Sequence, residues 1–104
     1  MFATIRRYES IDQSRKSELV KKVDENLLPT LSELPGFSGY SLIDDGNGVM
    51  TSVGFFDTAA QAEESTRVVG SWLREQKLDT VFSTPPKITS GDVVVHKTRE
   101  LVQV

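Results

Sequence analysis

Phe37-Ser38-Gly39-Tyr40-Ser41-Leu42-Ile43-Asp44, Asp45-Gly46-Asn47-Gly48 and Val49-Met50-Thr51-Ser52-Val53-Gly54-Phe55-Phe56 form the centre of the chain. The two outer stretches alternate aromatic and aliphatic residues with Ser, Thr and Gly, as half-buried strands do. The tetrapeptide between them is a turn, so the whole reads as a β-hairpin. Immediately before it, Leu34-Pro35-Gly36 is where a helix stops. Immediately after it, Thr58-Ala59-Ala60-Gln61 is a capping box that opens another.

Further out on the N-terminal side, Asp12 is a suitable N-cap for a helix whose stripe is Leu19 and Val20, Val23, Leu27, Leu31 and Leu34. Pro29 interrupts that stripe and removes a backbone donor, so the helix must kink or restart there. On the C-terminal side, Ala62, Thr66, Val69, Trp72 and Leu73 continue the second helix to about Gln76, with Gly70 marking a weak or tightly approached point. Lys77 to Ser83 is open between irregular chain and a further helical turn carrying Leu78, Val81 and Phe82, and Pro85-Pro86 ends it. Phe2 to Tyr8 is the first strand and Lys87 to His96, with Val93-Val94-Val95, the last. The tail from Lys97 to Val104 extends that strand or packs on a partner. The order strand, helix, strand, strand, helix, strand is the α+β ferredoxin-like βαββαβ arrangement, an antiparallel four-stranded sheet with two helices on one face. The other face stays uncovered although both faces of the third strand carry apolar residues, Val53 and Phe55 on one side and Met50 and Phe56 on the other, and homodimerisation through the sheets is the expected remedy.

Composition removes most alternatives. A chain of 104 residues fits one domain spanning 1–104. Twelve Lys and Arg against fifteen Asp and Glu, scattered singly and in pairs, give −3 and no nucleic-acid surface. With no cysteine there is no disulfide, thiolate metal site or thiol nucleophile, and one histidine restricts metals further. No metal site is expected. No apolar run approaches the roughly 20 residues of a membrane span, and the start lacks a signal-peptide layout, so a soluble cytoplasmic protein without membrane contact is expected.

Pro35-Gly36-Phe37-Ser38-Gly39-Tyr40, the strand from Gly48 to Phe56 running into Asp57-Thr58-Ala59-Ala60-Gln61-Ala62, and Gly91-Asp92-Val93-Val94-Val95-His96 together resemble the antibiotic biosynthesis monooxygenase-like family of dimeric α+β barrel proteins. The resemblance spans Phe2 to about His96. It implies a dimer whose sheets face one another, a cavity between helices and sheet, and, among other activities, cofactor-independent oxygenation of aromatic or quinol-like molecules; no cofactor is expected. Haem-degrading relatives use an asparagine on the first strand, a tryptophan and a histidine from the second helical region. Here the first strand has no asparagine, Trp72 falls late and His96 is on the last strand, which argues against haem degradation.

Four side chains are candidates for a ligand pocket: Trp72, Tyr40, His96 and Arg6. Trp72 can stack on a flat ring, or simply cap the core. Tyr40, like Tyr8, can anchor a substrate oxygen, or pack with its hydroxyl at the surface. Histidine is the one side-chain type here suited to proton transfer at neutral pH, so such a role would fall to His96 first, yet a histidine after three valines reads more readily as an exposed or interface residue. Arg6 and Arg7 point to opposite faces of the first strand, so one is inward and must find a carboxylate or an anionic ligand. Divergence of the two helices is expected to leave a gap walled by Trp72 and Tyr40. Glu63-Glu64 and Asp44-Asp45 make no acid–base pair, because helix neighbours diverge by about 100° and turn carboxylates are solvated. The catalytic residues are not legible, and a non-enzymatic small-ligand-binding homodimer stands beside the oxygenase.

Overall fold

The computed structural model describes residues 1–99. Strands β1 (Phe2–Tyr8), β2 (Phe37–Asp44), β3 (Met50–Phe56) and β4 (Lys87–Asp92) form one sheet in the order β2-β3-β1-β4, and every pairing is antiparallel. Helical chain covers one face, so the expected ferredoxin-like α+β arrangement is the observed one. The hairpin is as read: Asp44 and Asp45 accept from the amides of Gly46 and Asn47, and Gly46 and Gly48 hold positive φ.

The first helical segment shows how a proline is accommodated. The Asp12 carboxylate accepts from the Ser14 amide and opens a 3-10 turn (Gln13–Arg15), followed by α1 (Lys16–Lys22), a π-turn (Val23–Leu27) and α2 (Leu28–Ser32), with Pro29 in the first turn of α2. The Leu28 amide reaches back five residues to the Val23 carbonyl. In a straight α-helix, residues four apart drift by about 40° per step around the axis. The wider π-turn takes up part of that drift, so Leu19, Val23, Leu27 and Leu31 all remain buried, while Val20 is exposed.

Helix α3 (Ala59–Glu75) opens on the expected capping box, with Thr58 and Gln61 each accepting from the other's amide. It buries Ala62, Ser65, Val69 and Trp72. The ambiguous stretch after it contains a 3-10 turn (Asp79–Val81) and seals the core with Leu78 and Val81. Gly70 is not a point of close approach: a β-carbon there would meet only the Arg74 guanidinium, at 3.6 Å.

The last strand is shorter than expected. It ends at Asp92, which pairs with Phe2 of β1, and the Val93 amide beyond it donates to the Met1 carbonyl at 2.9 Å. Val94 and Val95 are accordingly 89% and 87% exposed, and His96 lies outside any strand. Lys97 to Arg99 are likewise outside any strand, and the remainder of the expected tail, 100–104, lies outside the described residues.

Candidate functional site

Strand alternation sorts β1 into two sets. Thr4, Arg6 and Tyr8 are buried under the helices, whereas Arg7 is exposed and ion-paired with Glu9. Arg6 stands opposite Ser52 on β3 and Ile88 on β4, and Leu42 on β2 pairs with that same Ser52. Here the inward arginine of the sequence reading meets no carboxylate: among the described residues no acidic oxygen comes within 4.0 Å of its nitrogens.

Arg6 is 3% exposed. Its Nη2 donates to Thr66 Oγ1 at 2.7 Å and Ser65 Oγ at 3.2 Å, both on α3. Each hydroxyl in turn donates to the Ala62 carbonyl, so both are oriented to receive the guanidinium. The Nε is buried without a partner. Burial pulls the Arg6 pKa below its ordinary value, and Tyr8 and Tyr40 only partly counter that. The Tyr8 phenol is pushed up to about 12, chiefly by burial, and Tyr40 is raised for the same reason. Ser52 Oγ is near enough to Tyr40 to oppose that rise but makes no hydrogen bond of proper geometry, and it is the second buried orphan.

Beside this cluster, between α3 and β4, lies an open groove of about 430 Å³ whose walls include Arg6, Tyr8, Gly70, Leu73, Phe82 and Ile88. Tyr8 and Phe82 stack there with ring centroids 4.4 Å apart. Edge strand β4 has no helix over it, which leaves the groove open, and the absence of a side chain at Gly70 widens it. A contiguous hollow of about 450 Å³ shares Thr66 and Ile88 with it.

The structure brings Arg6 and Tyr40 onto one sheet face and packs Trp72 in the core beside Tyr40, but places His96 elsewhere. Trp72 is 5% exposed, and its indole N–H donates to Asn26 Oδ1 on the π-turn at 2.8 Å. That bond draws α3 and the first helical segment together. The space bounded by Trp72, Tyr40 and Tyr8 is about 20 Å³, room for a water molecule rather than a ring. Hollows of ligand size lie instead in the groove on the other flank of α3 and at the surface beside Trp72 (about 350 Å³) and beside Tyr40 (about 610 Å³). His96 is across the sheet, its ring 5.9 Å from that of Phe55 on the face without helices. Sequence reading did not single out Ser52, Ser65, Thr66 or Asn26, since no local motif marks a serine that will meet a guanidinium 59 positions away. Among the described residues no group of acidic and histidine side chains could hold a metal ion, and no helix is long and apolar enough to cross a membrane.

No family model and no curated protein matches the chain. Its fold, however, is found among solved structures. A protein of unknown function from Nitrosomonas europaea superposes with a TM-score of 0.77 at 17% identity, over 95% of this chain and 94% of that one. A MhuD variant with two manganese protoporphyrin IX molecules bound per active site gives 0.73 at 16% identity, over 95% and 100%. The monooxygenase from the gene ActVA-Orf6 of Streptomyces coelicolor, in complex with nanaomycin D, gives 0.71 at 13% identity, over 95% and 92%. The chain thus shares the ferredoxin-like fold of the antibiotic biosynthesis monooxygenase-like proteins, at identities that speak for the fold alone.

Proposed function

We propose that this protein is a homodimeric, cofactor-independent monooxygenase that takes a flat aromatic or quinol-like molecule into the groove between α3 and β4. The observation that carries this reading is a ligand-sized groove with stacked aromatic rings on its wall and a buried cation beside it, in a fold that also holds nanaomycin D in a monooxygenase. Such a substrate carries its own reducing electrons: when the ring methylene of an anthrone becomes a carbonyl, or a ring C–H of a quinol becomes C–OH as the quinol becomes a quinone, one atom of dioxygen enters the product and the other leaves as water, and no external reductant is required. The protein's part would be to bind, orient and exclude water.

One observation favours a second reading, a binder without catalysis. Burial holds the Tyr8 and Tyr40 phenols above their ordinary pKa, and His96, the one histidine, is across the sheet, so neither phenol is poised to take a proton at neutral pH. Oxygen-electrode measurements with anthrones and quinols separate the two. The oxygenase predicts substrate-dependent oxygen uptake above the buffer rate, suppressed in Gly70→Leu, whose side chain would occupy the groove. Calorimetric binding of the same compounds with uptake at the buffer rate would leave the binder.

A further inference from the structure

An arginine held out of water needs a reason, because its desolvation is offset only by an anion and a full set of hydrogen bonds. Arg6 has neither. Both of its protein hydrogen bonds come from Nη2 and end on neutral hydroxyls. Its Nη1 has no protein partner among the described residues and, unlike Nε, is not sealed from solvent. Since Arg6 lines the groove, Nη1 is the donor left for whatever enters. Around it the walls are largely apolar, with Leu73, Phe82 and Ile88 among them.

We infer that the groove takes an aromatic monocarboxylate, its ring against Phe82 and Leu73 and its carboxylate on Arg6. This rests on the groove being the ligand site of the preceding reading and adds the charge of the ligand. A carboxylate fits better than a phenol, because it is fully ionised at neutral pH and so supplies the missing counter-charge without itself having to lose a proton. One buried cation matches one negative charge. The wall also carries Asp79 and Arg74, one charge of each sign and neither in an ion pair with Arg6 among the described residues, so they add no net charge for a ligand to match and a more highly charged phosphate ester is disfavoured.

The test is calorimetric titration of the full chain with a naphthoate and with the corresponding naphthylmethanol, which has the same rings and no charge. Wild type should bind the acid about tenfold or more tightly than the alcohol, the size of effect expected of a charge-assisted hydrogen bond. Arg6→Met should bind both about equally, and Gly70→Leu, with Arg6 intact, should bind neither. Equal affinities in wild type, an undiminished preference for the acid in Arg6→Met, or no binding of either compound would overturn the inference. If Arg6→Met does not fold, as judged by its circular dichroism, the wild-type preference and its loss in Gly70→Leu decide the matter. Naphthoate binding with quinol oxygen uptake at the buffer rate would sink the oxygenase and leave the carboxylate site standing. Charge-blind binding blocked by Gly70→Leu would do the reverse.

Discussion

Arg6 carries a stability cost that the rest of the chain must offset. Its guanidinium is buried with no counter-ion, and its two acceptors are independently satisfied through the Ala62 carbonyl. Arg6→Met therefore removes a desolvated charge and leaves no new orphan beyond those already present. Replacement of buried charge by apolar volume is often stabilising, and here a gain of about 1–2 kcal/mol is expected in a urea titration. A loss of stability would mean that the guanidinium serves packing rather than a ligand. Tyr8 gives a second test, with a definite sign. Its pKa rises from 10.0 in the unfolded chain to about 12 in the folded one, so between those values the native state holds a proton that the unfolded state has released. Stability is then fully present below pH 10 and falls as pH rises toward 12, by about 1.4 kcal/mol per pH unit and roughly 2–3 kcal/mol in all. Arg6, whose pKa is lowered, acts in the opposite sense near the top of that window. Tyr8→Phe should flatten the decline in pH-dependent chemical denaturation, and an unchanged slope would rule out Tyr8 as its source.

At the scale of elements, the tightest junction is where α2 gives way to β2. Gly36 has a φ of +77°, and a β-carbon there would collide with the Gln61 side-chain amide. The same Gln61 caps α3 by accepting from the Thr58 amide, while the Gly36 carbonyl accepts from Asp57. Gly36→Ala should thus strain the turn and uncap α3 together, lowering stability by about 2–3 kcal/mol. Paired with Gln61→Ala it should cost less than the sum of the single changes, and strict additivity in a double-mutant cycle would refute the linkage. Much of this was legible in the chain: the Thr58 capping box, the Pro35-Gly36 stop and the restart at Pro29 are all local chemistry. The end of β4 was not, because three consecutive valines favour a strand by propensity, whereas the strand depends on its pairing with β1, whose ladder ends at the Phe2–Asp92 pair. The site followed the same division. Strand alternation alone made one of Arg6 and Arg7 inward, but that α3 leaves β4 uncovered, so that the main groove opens beside Gly70 and only a smaller hollow of about 350 Å³ lies between the helices against Trp72, is a property of packing.

The whole molecule is a two-layer slab, 23 Å along its shortest axis, with a sheet whose second face carries no helix. The core cluster lies entirely on the helix side. On the other face Ile5 stands opposite Val53 and Ala3 opposite Phe55, each partly exposed, with Ile43 51% exposed on the neighbouring strand. The His96 ring lies against Phe55, and no helix covers this face. A contiguous apolar patch at the centre of a sheet is costly in water, and a second copy presenting the same face would bury it, at about 800 Å² per partner for an ordinary stable interface. The protein is accordingly expected to sediment as a dimer at micromolar concentration. Phe55→Glu places a charge on that face, where a second copy would desolvate it, and should weaken the dimer by about a hundredfold or more. Because Phe55 points away from Arg6, the variant should keep its helical circular dichroism and its groove. A wild type that sediments as a monomer, or a Phe55→Glu variant as dimeric as the parent, would show that the sheets do not make the contact. A variant that becomes monomeric while still binding an aromatic acid would show that the groove is completed within one chain.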